Sequence, residues 1–136
     1  MNISLFRHAF FLILLGLLGA FAIPQMAVPR LGLSAHTIAM LGGVLLIAVG
    51  AIWEHFRLSA LQAVWLKWSW LYSSYMNWLA CMTGAVLGVG RMTPIATDGL
   101  VGGELQEAVV GALFASVALA SLIAVGLSLW GLRRSA

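Results

Sequence analysis

The sequence predicts an all-α fold, an integral membrane four-helix bundle with both termini cytoplasmic. Three observations carry that prediction. Hydrophobic residues make up 62% of the 136 residues and charged residues 8%, against about a quarter charged in soluble domains. Four stretches, 9–29, 31–53, 68–90 and 108–132, hold no Lys, Arg, Asp or Glu, and each reaches the roughly 20 residues that span a bilayer as a helix. Positive charges also sort by connector, with Arg7, Arg57, Lys67, Arg133 and Arg134 on one side and only Arg30 and Arg91 on the other. The positive-inside bias assigns the richer side to the cytoplasm. Hydrocarbon cannot satisfy backbone polar groups, so the apolar stretches must be helical. The alternating polarity of membrane β-strands is absent.

A single transmembrane domain over 1–136 follows, with helices at about 5–28, 35–56, 62–89 and 104–132. The first run follows Arg7 and His8 and contains Ala20-Phe21-Ala22, which imitates a secretory signal and its cleavage site. It is read as the first transmembrane helix, ending near Pro24 and Pro29 because proline cannot continue a helix interior. Ser34 is placed to cap the second helix, which runs to Trp53. Trp65, Trp68 and Trp70 read as interfacial aromatics leading into the third. Residues 91–106, RMTPIATDGLVGGELQ, read as a connector. Glu104 and Glu107 then suit the positive N-terminal end of the fourth helix.

The net charge of +3 is a membrane-topology signal, not a nucleic-acid footprint, because it is distributed by connector. The single cysteine, Cys81, excludes an intrachain disulfide framework and a cysteine-based metal motif.

The third helix alone is polar in its centre, YSSYMNWLACMTG at 72–84. Ser74, Asn77, Trp78 and Cys81 fall at i, i+3, i+4 and i+7, on one face. Polar groups at membrane depth need partners, so that face points inward. Hydrogen-bonded glue between helices is the expected role of Ser73, Ser74 and Thr83. For Tyr75, Asn77 and Trp78 two readings stand side by side, glue and a pocket for a planar aromatic ligand with one polar end. His36, Glu107 and Arg30 are expected at similar depth on the outer face, where a carboxylate or an imidazole would serve as a general acid.

Three segments in order, PRLGLSAH (29–36), YSSYMNW (72–78) and MTPIATDGLVGGELQEA (92–108), resemble the hydroxylaminobenzene mutases, small four-helix membrane enzymes of nitroaromatic metabolism. The resemblance extends to LWGLR at 129–133. Val28 and Leu105 stand where the family usually carries an asparagine and an aromatic residue, which bears on substrate choice. The resemblance implies isomerisation of an aryl hydroxylamine to an ortho-aminophenol by a multi-pass protein of the bacterial cytoplasmic membrane. Set against this sequence, that chemistry makes Glu107 and His36 the expected proton donors, with Arg30, Ser34, Tyr75, Asn77, Trp78 and Gln106 binding substrate. The rearrangement is redox-neutral, so no cofactor is expected, and no metal site. The expected partners are the aromatic hydroxylamine and the lipid bilayer, with homo-oligomerisation left open. The rival readings are a haem- or quinone-binding membrane protein with His36 as an axial haem ligand, and a small transporter or structural subunit.

Overall fold

The computed structural model describes residues 1–133, so Arg134 and its contribution to the charge asymmetry lie outside the described residues. Those residues form five α-helices: α1 (Ile3–Ala20), α2 (Pro29–Ala51), α3 (Ala60–Leu87), the short α4 (Pro94–Thr97) and α5 (Glu104–Gly131). Short 3-10 turns occur at Ile23–Gln25 and Trp53–His55. Three helices, α1, α2 and α5, are long and apolar enough to cross a membrane. The fourth stretch is helical and as long as α5, at 28 residues. Its Gln62, Lys67, Asn77 and three serines keep α3 below the apolarity of the other long helices.

Two boundaries differ from the sequence expectation, for local reasons. The first helix stops at Ala20 rather than near 28, and Pro24 sits inside the following 3-10 turn. The second begins at Pro29, a residue suited to the first helical position because its missing N–H would have no partner there. Ser34 is therefore inside α2 and is not its cap; its hydroxyl donates to the Arg30 carbonyl at 3.1 Å. The start of α3 is fixed by Ser59, whose Oγ accepts from Gln62 N–H while Gln62 Oε1 accepts from Ser59 N–H.

The long helices pack in chain order, α1 on α2, α2 on α3 and α3 on α5, with only a light contact between α1 and α3. The result is a curved row in which α2 and α5 flank α3, not a closed ring of four. Small residues let α1 and α2 approach closely. A Cβ on Gly16 would lie 2.6 Å from that of Ala39, and Gly43 is filled against Ile13. Leu5, Ala9, Leu12, Ala39 and Leu46 are fully buried in this seam.

Indole and phenol donors join α3 to α5: Trp70 Nε1–H donates to Ser128 Oγ at 3.1 Å, and the Tyr72 hydroxyl lies 2.9 Å from Ser116 Oγ. The interhelical glue thus falls on Trp70, Tyr72, Ser116 and Ser128. Ser73, expected in that role, donates back to the Trp70 carbonyl of its own helix.

Backbone bonds fix which ends meet. Asn2 N–H donates to the Gly50 carbonyl at 2.9 Å and Arg57 N–H to the Gly131 carbonyl at 2.8 Å. The start of α1 and the ends of α2 and α5 therefore share one end of the molecule. At the other end, Val28 N–H donates to the Ala85 carbonyl at 3.0 Å. Gly16→Val inserts a branched side chain where Ala39 already sits and should destabilise the α1–α2 seam by about 1–3 kcal/mol. Thermal unfolding in detergent should show a lowered midpoint for Gly16→Val and little change for Gly126→Ala, because Gly126 faces open space.

Candidate active site

The row leaves a groove over α3 between α2 and α5, with a volume of about 250 Å3. Ile38, Leu41, Gly42 and Leu45 form the α2 wall, Trp70, Ser73, Ser74 and Asn77 the floor, and Ser121 the α5 side. Engineered cavities of about 150 Å3 already take up benzene, so the groove has room for one substituted ring. Gly42 helps to keep it open: a Cβ there would lie 3.5 Å from Ser74 Cβ and 3.2 Å from Leu12 Cδ2.

The polar side chains of the groove set it apart. Ser74, Asn77 and Ser121 make no side-chain hydrogen bond among the described residues, whereas most other serines on α3 and α5 bond a neighbour or their own backbone. A carboxamide and two hydroxyls without partners, on helices of spanning length, ask for a ligand or water. Among the described residues, no ionisable side chain lines the groove. It presents neutral donors and acceptors on its floor, beside an apolar α2 wall.

The other sequence-predicted residues are distributed around this groove and do not share it. Tyr75 turns toward α1, where its hydroxyl donates to the His8 carbonyl at 3.0 Å and lies 3.2 Å from His8 Nδ1. Trp78 packs between the two buried clusters of the molecule, and its Nε1–H is fully buried without an acceptor. Tyr75 and Trp78, one turn apart, pack against the same buried cluster, while Asn77 lines the groove.

His36 also faces α1. Its Nδ1 lies 2.9 Å from the Gly16 carbonyl; a carbonyl only accepts, so Nδ1 carries the proton in that bond and Nε2 is left for other chemistry. Arg30 and Ser34 lie at the far end of α2, bordering a separate cavity with residues 92–96. Gln106 is exposed and serves the start of α5, accepting from Gly103 N–H at 3.3 Å.

Glu107 is 4% exposed, and both of its oxygens are occupied. Oε1 accepts from Gly90 N–H at 3.0 Å and Gly102 N–H at 2.8 Å, and Oε2 from Arg91 N–H at 3.1 Å. Three backbone donors converging on one carboxylate leave little space for an added proton and hold it away from the groove floor.

A family profile for styrene oxide isomerase matches residues 1–133. The chain belongs to the styrene oxide isomerase family. It is an isomerase, and relatives within reach carry a second reaction name. Hydroxylaminobenzene mutase HabB of Ectopseudomonas oleovorans is 40% identical over 123 residues, covering 90% of this chain and 75% of HabB. Hydroxylaminobenzene mutase HabA of the same organism is 33% identical over 135 residues, covering 98% of this chain and all of HabA. No solved structure matches the chain. The isomerase carries three apolar helices of membrane-spanning length, as a membrane protein does.

Asn77, named from the sequence, lines the groove together with Ser121 on α5, which the sequence reading did not name because α5 reads as uniformly apolar when only its charges are counted. Asn77→Leu should keep the fold and lower turnover or ligand affinity at least about tenfold, as expected for a buried polar contact to substrate. Ser73→Ala should change either by less than about twofold, since Ser73 bonds its own helix. Measurement of kcat and KM on matched membrane preparations distinguishes the two.

Proposed function

We propose that this isomerase rearranges hydroxylaminobenzene-type aryl hydroxylamines to ortho-aminophenols in the α2–α3–α5 groove. The carrying observation is the unpartnered Asn77, Ser74 and Ser121 beside an apolar α2 wall, in a groove that fits one ring. The two mutase relatives supply the reaction class.

The chemistry explains why such a groove suffices. Protonation of the hydroxylamine oxygen lets the N–O bond break with its electron pair leaving as water. Positive charge then spreads over nitrogen and ring. Oxygen adds to the adjacent ring carbon, that carbon loses its proton, and the atoms of the starting material are regained as an isomer. Asn77 orients the polar end of the substrate, Ser74 and Ser121 hold the migrating oxygen near the ortho carbon, and the indole of Trp70 faces the developing cation. The proton enters from outside the lining. His36 lies on the α1-facing side of α2, about 200° around the helix from the wall residue Ile38. As an imidazolium, with its Nδ1–H held by Gly16, it supplies the proton from Nε2–H through water and not by direct contact. Glu107 is withdrawn from that role because its oxygens hold backbone N–H groups.

The family name favours a second substrate class, aryl epoxides. Ionising a C–O bond next to a ring also produces a ring-stabilised cation, which a hydride shift converts to a carbonyl compound. Both reactions are redox-neutral and call for no electron carrier. The haem reading persists only through His36 Nε2, and a visible absorption spectrum of the purified protein decides it.

In this reading α3 is a fourth span. At 28 residues it measures about 42 Å, long enough for a bilayer core of about 30 Å, with its polar face turned to α2 and α5. Arg7, Arg57, Lys67 and Arg133 belong to the elements that meet at one end, Arg30 and Arg91 to the other. Both termini are then cytoplasmic. Reporter fusions after Trp53 should register cytoplasm and a fusion at Asp98 the opposite side; a cytoplasmic signal at Asp98 overturns this topology.

The activity test is conversion of phenylhydroxylamine to 2-aminophenol, anaerobically and without reductant, with styrene oxide in parallel. His36→Gln should lower kcat about 10²–10⁴-fold, the usual contribution of one positioned general acid, with a smaller change in KM. Full activity of His36→Gln overturns the assignment of the proton, and wild-type inactivity on phenylhydroxylamine overturns the mutase reading.

A further inference from the structure

We propose that Glu107 is a positioning residue that clasps the 88–103 connector shut over the end of α2, making this connector the roof of the path into the Asn77 groove. The inference rests on the groove reading above, and four observations carry it.

The three N–H groups on the Glu107 carboxylate come from both limbs of the connector, Gly90 and Arg91 from one and Gly102 from the other. One side chain at the start of α5 therefore closes the loop on itself. The middle of the connector is pinned to the same limb: the Thr97 hydroxyl lies 3.3 Å from the Gly90 carbonyl and 3.1 Å from that of Thr93. Only glycine fits at 90, because a Cβ there would occupy the Thr97 side chain.

The closed connector is next tied to α2, where Arg30 Nη1 donates to Asp98 Oδ1 at 2.9 Å. Between connector and α2 lies a cavity of about 500 Å3 bordered by Arg30, Ser34 and residues 92–96. Finally, Ser34, Ile38, Leu41 and Leu45 fall at i, i+4, i+7 and i+11, a single stripe of α2. Ser34 borders the roofed cavity and the other three line the groove. The two spaces follow one another along one face of one helix.

The proposed reaction gives the roof a purpose. The ring cation is open to water at the carbon opposite nitrogen, and water adding there yields 4-aminophenol in place of the ortho isomer. A connector held down by Glu107 limits both the water and the escape of substrate. Glu107 acts through the connector and touches neither substrate nor reacting atoms.

The test uses the full chain in lipid vesicles, as wild type, Glu107→Gln and Asp98→Asn. Asp98 has φ 51°, a conformation that asparagine also tolerates, so the second variant removes the Arg30 partner without backbone strain. Trypsin reports opening at Arg91, which is exposed but has its N–H held by Glu107. In Glu107→Gln, a carboxamide cannot accept at both positions. Cleavage after Arg91 should quicken about tenfold and KM should rise by a similar factor, with kcat within about threefold, as for loss of a charge-assisted bond to buried donors.

The fraction of 4-aminophenol should rise with it. Asp98→Asn should move cleavage and product ratio the same way by about two- to threefold, as for an exposed ion pair. A collapse of kcat in Glu107→Gln with unchanged cleavage overturns the clasp and returns Glu107 to the chemistry. If Glu107→Gln does not fold, Asp98→Asn decides, and unchanged cleavage and product ratio in it overturn the roof. Wild-type inactivity alongside a faster-cleaved Glu107→Gln supports the clasp and overturns the mutase reading instead.

Discussion

Polar side chains surrounded by hydrocarbon must meet a partner or a ligand, and in this chain that demand falls mainly on α3. The helix carries Gln62, Lys67, three serines, two tyrosines, Asn77 and Thr83, and like α2 it is an inner helix of the row, flanked by α2 and by α5. Its position follows from its composition. Trp70 and Tyr72 find Ser128 and Ser116 on α5, and Tyr75 finds His8 on α1. Asn77, Ser74 and the facing Ser121 are left without such bonds and gather along the groove. The groove gathers polar groups of a helix that uses Trp70, Tyr72 and Tyr75 to hold its neighbours.

The same constraint explains the row. α1 and α2 need no polar contact with each other beyond the His36 bond to Gly16, because small residues let them pack to van der Waals distance along Gly16, Gly43 and Gly50. Nothing of that kind joins α2 to α5. A gap therefore stands over α3 on the side where its unpaired polar groups lie. A substrate with an apolar ring and one polar end matches such a gap in both halves of its chemistry.

The helical class, the four helical stretches and the distinct character of α3 were legible in the sequence, because apolar length and the absence of charge are local properties. Helix ends were less so. Pro29 reads as a terminator of the first helix and is in fact the initiator of the second, since proline is unfavourable within a helix and favourable at its first position. The sequence alone does not say which of these roles applies. Ser59 with Gln62 was a readable capping box.

The site was legible only as a list of polar residues on α3. Which of them pair depends on the helix facing each one, and that is a long-range property. Tyr75, Asn77 and Trp78 form one cluster in sequence, yet the Tyr75 hydroxyl bonds His8, Asn77 lines the groove and the Trp78 indole N–H is buried without an acceptor. Glu107 shows the same limit, because its three donors come from residues 90, 91 and 102, and no spacing rule predicts that a loop will fold back onto a carboxylate five to seventeen positions away.

That carboxylate also narrows the choice of mechanism. A general acid needs a proton and an open line to the substrate; Glu107 has both oxygens engaged and borders the connector, not the groove. The groove's own lining is neutral, and neutrality suits the proposed reaction. An anionic side chain beside an aryl cation would compete with the migrating oxygen for the ring, whereas an amide and two hydroxyls orient oxygen without adding to the ring themselves. The demand on the protein is then confinement and dryness more than acid strength. A ring-sized groove lined by Ile38, Leu41, Leu45 and Trp70, with its polar groups on one side, meets that demand for any aryl substrate whose ionised bond lies next to the ring. Two reaction names in one family, one for an N–O bond and one for a C–O bond, are what such a site would produce.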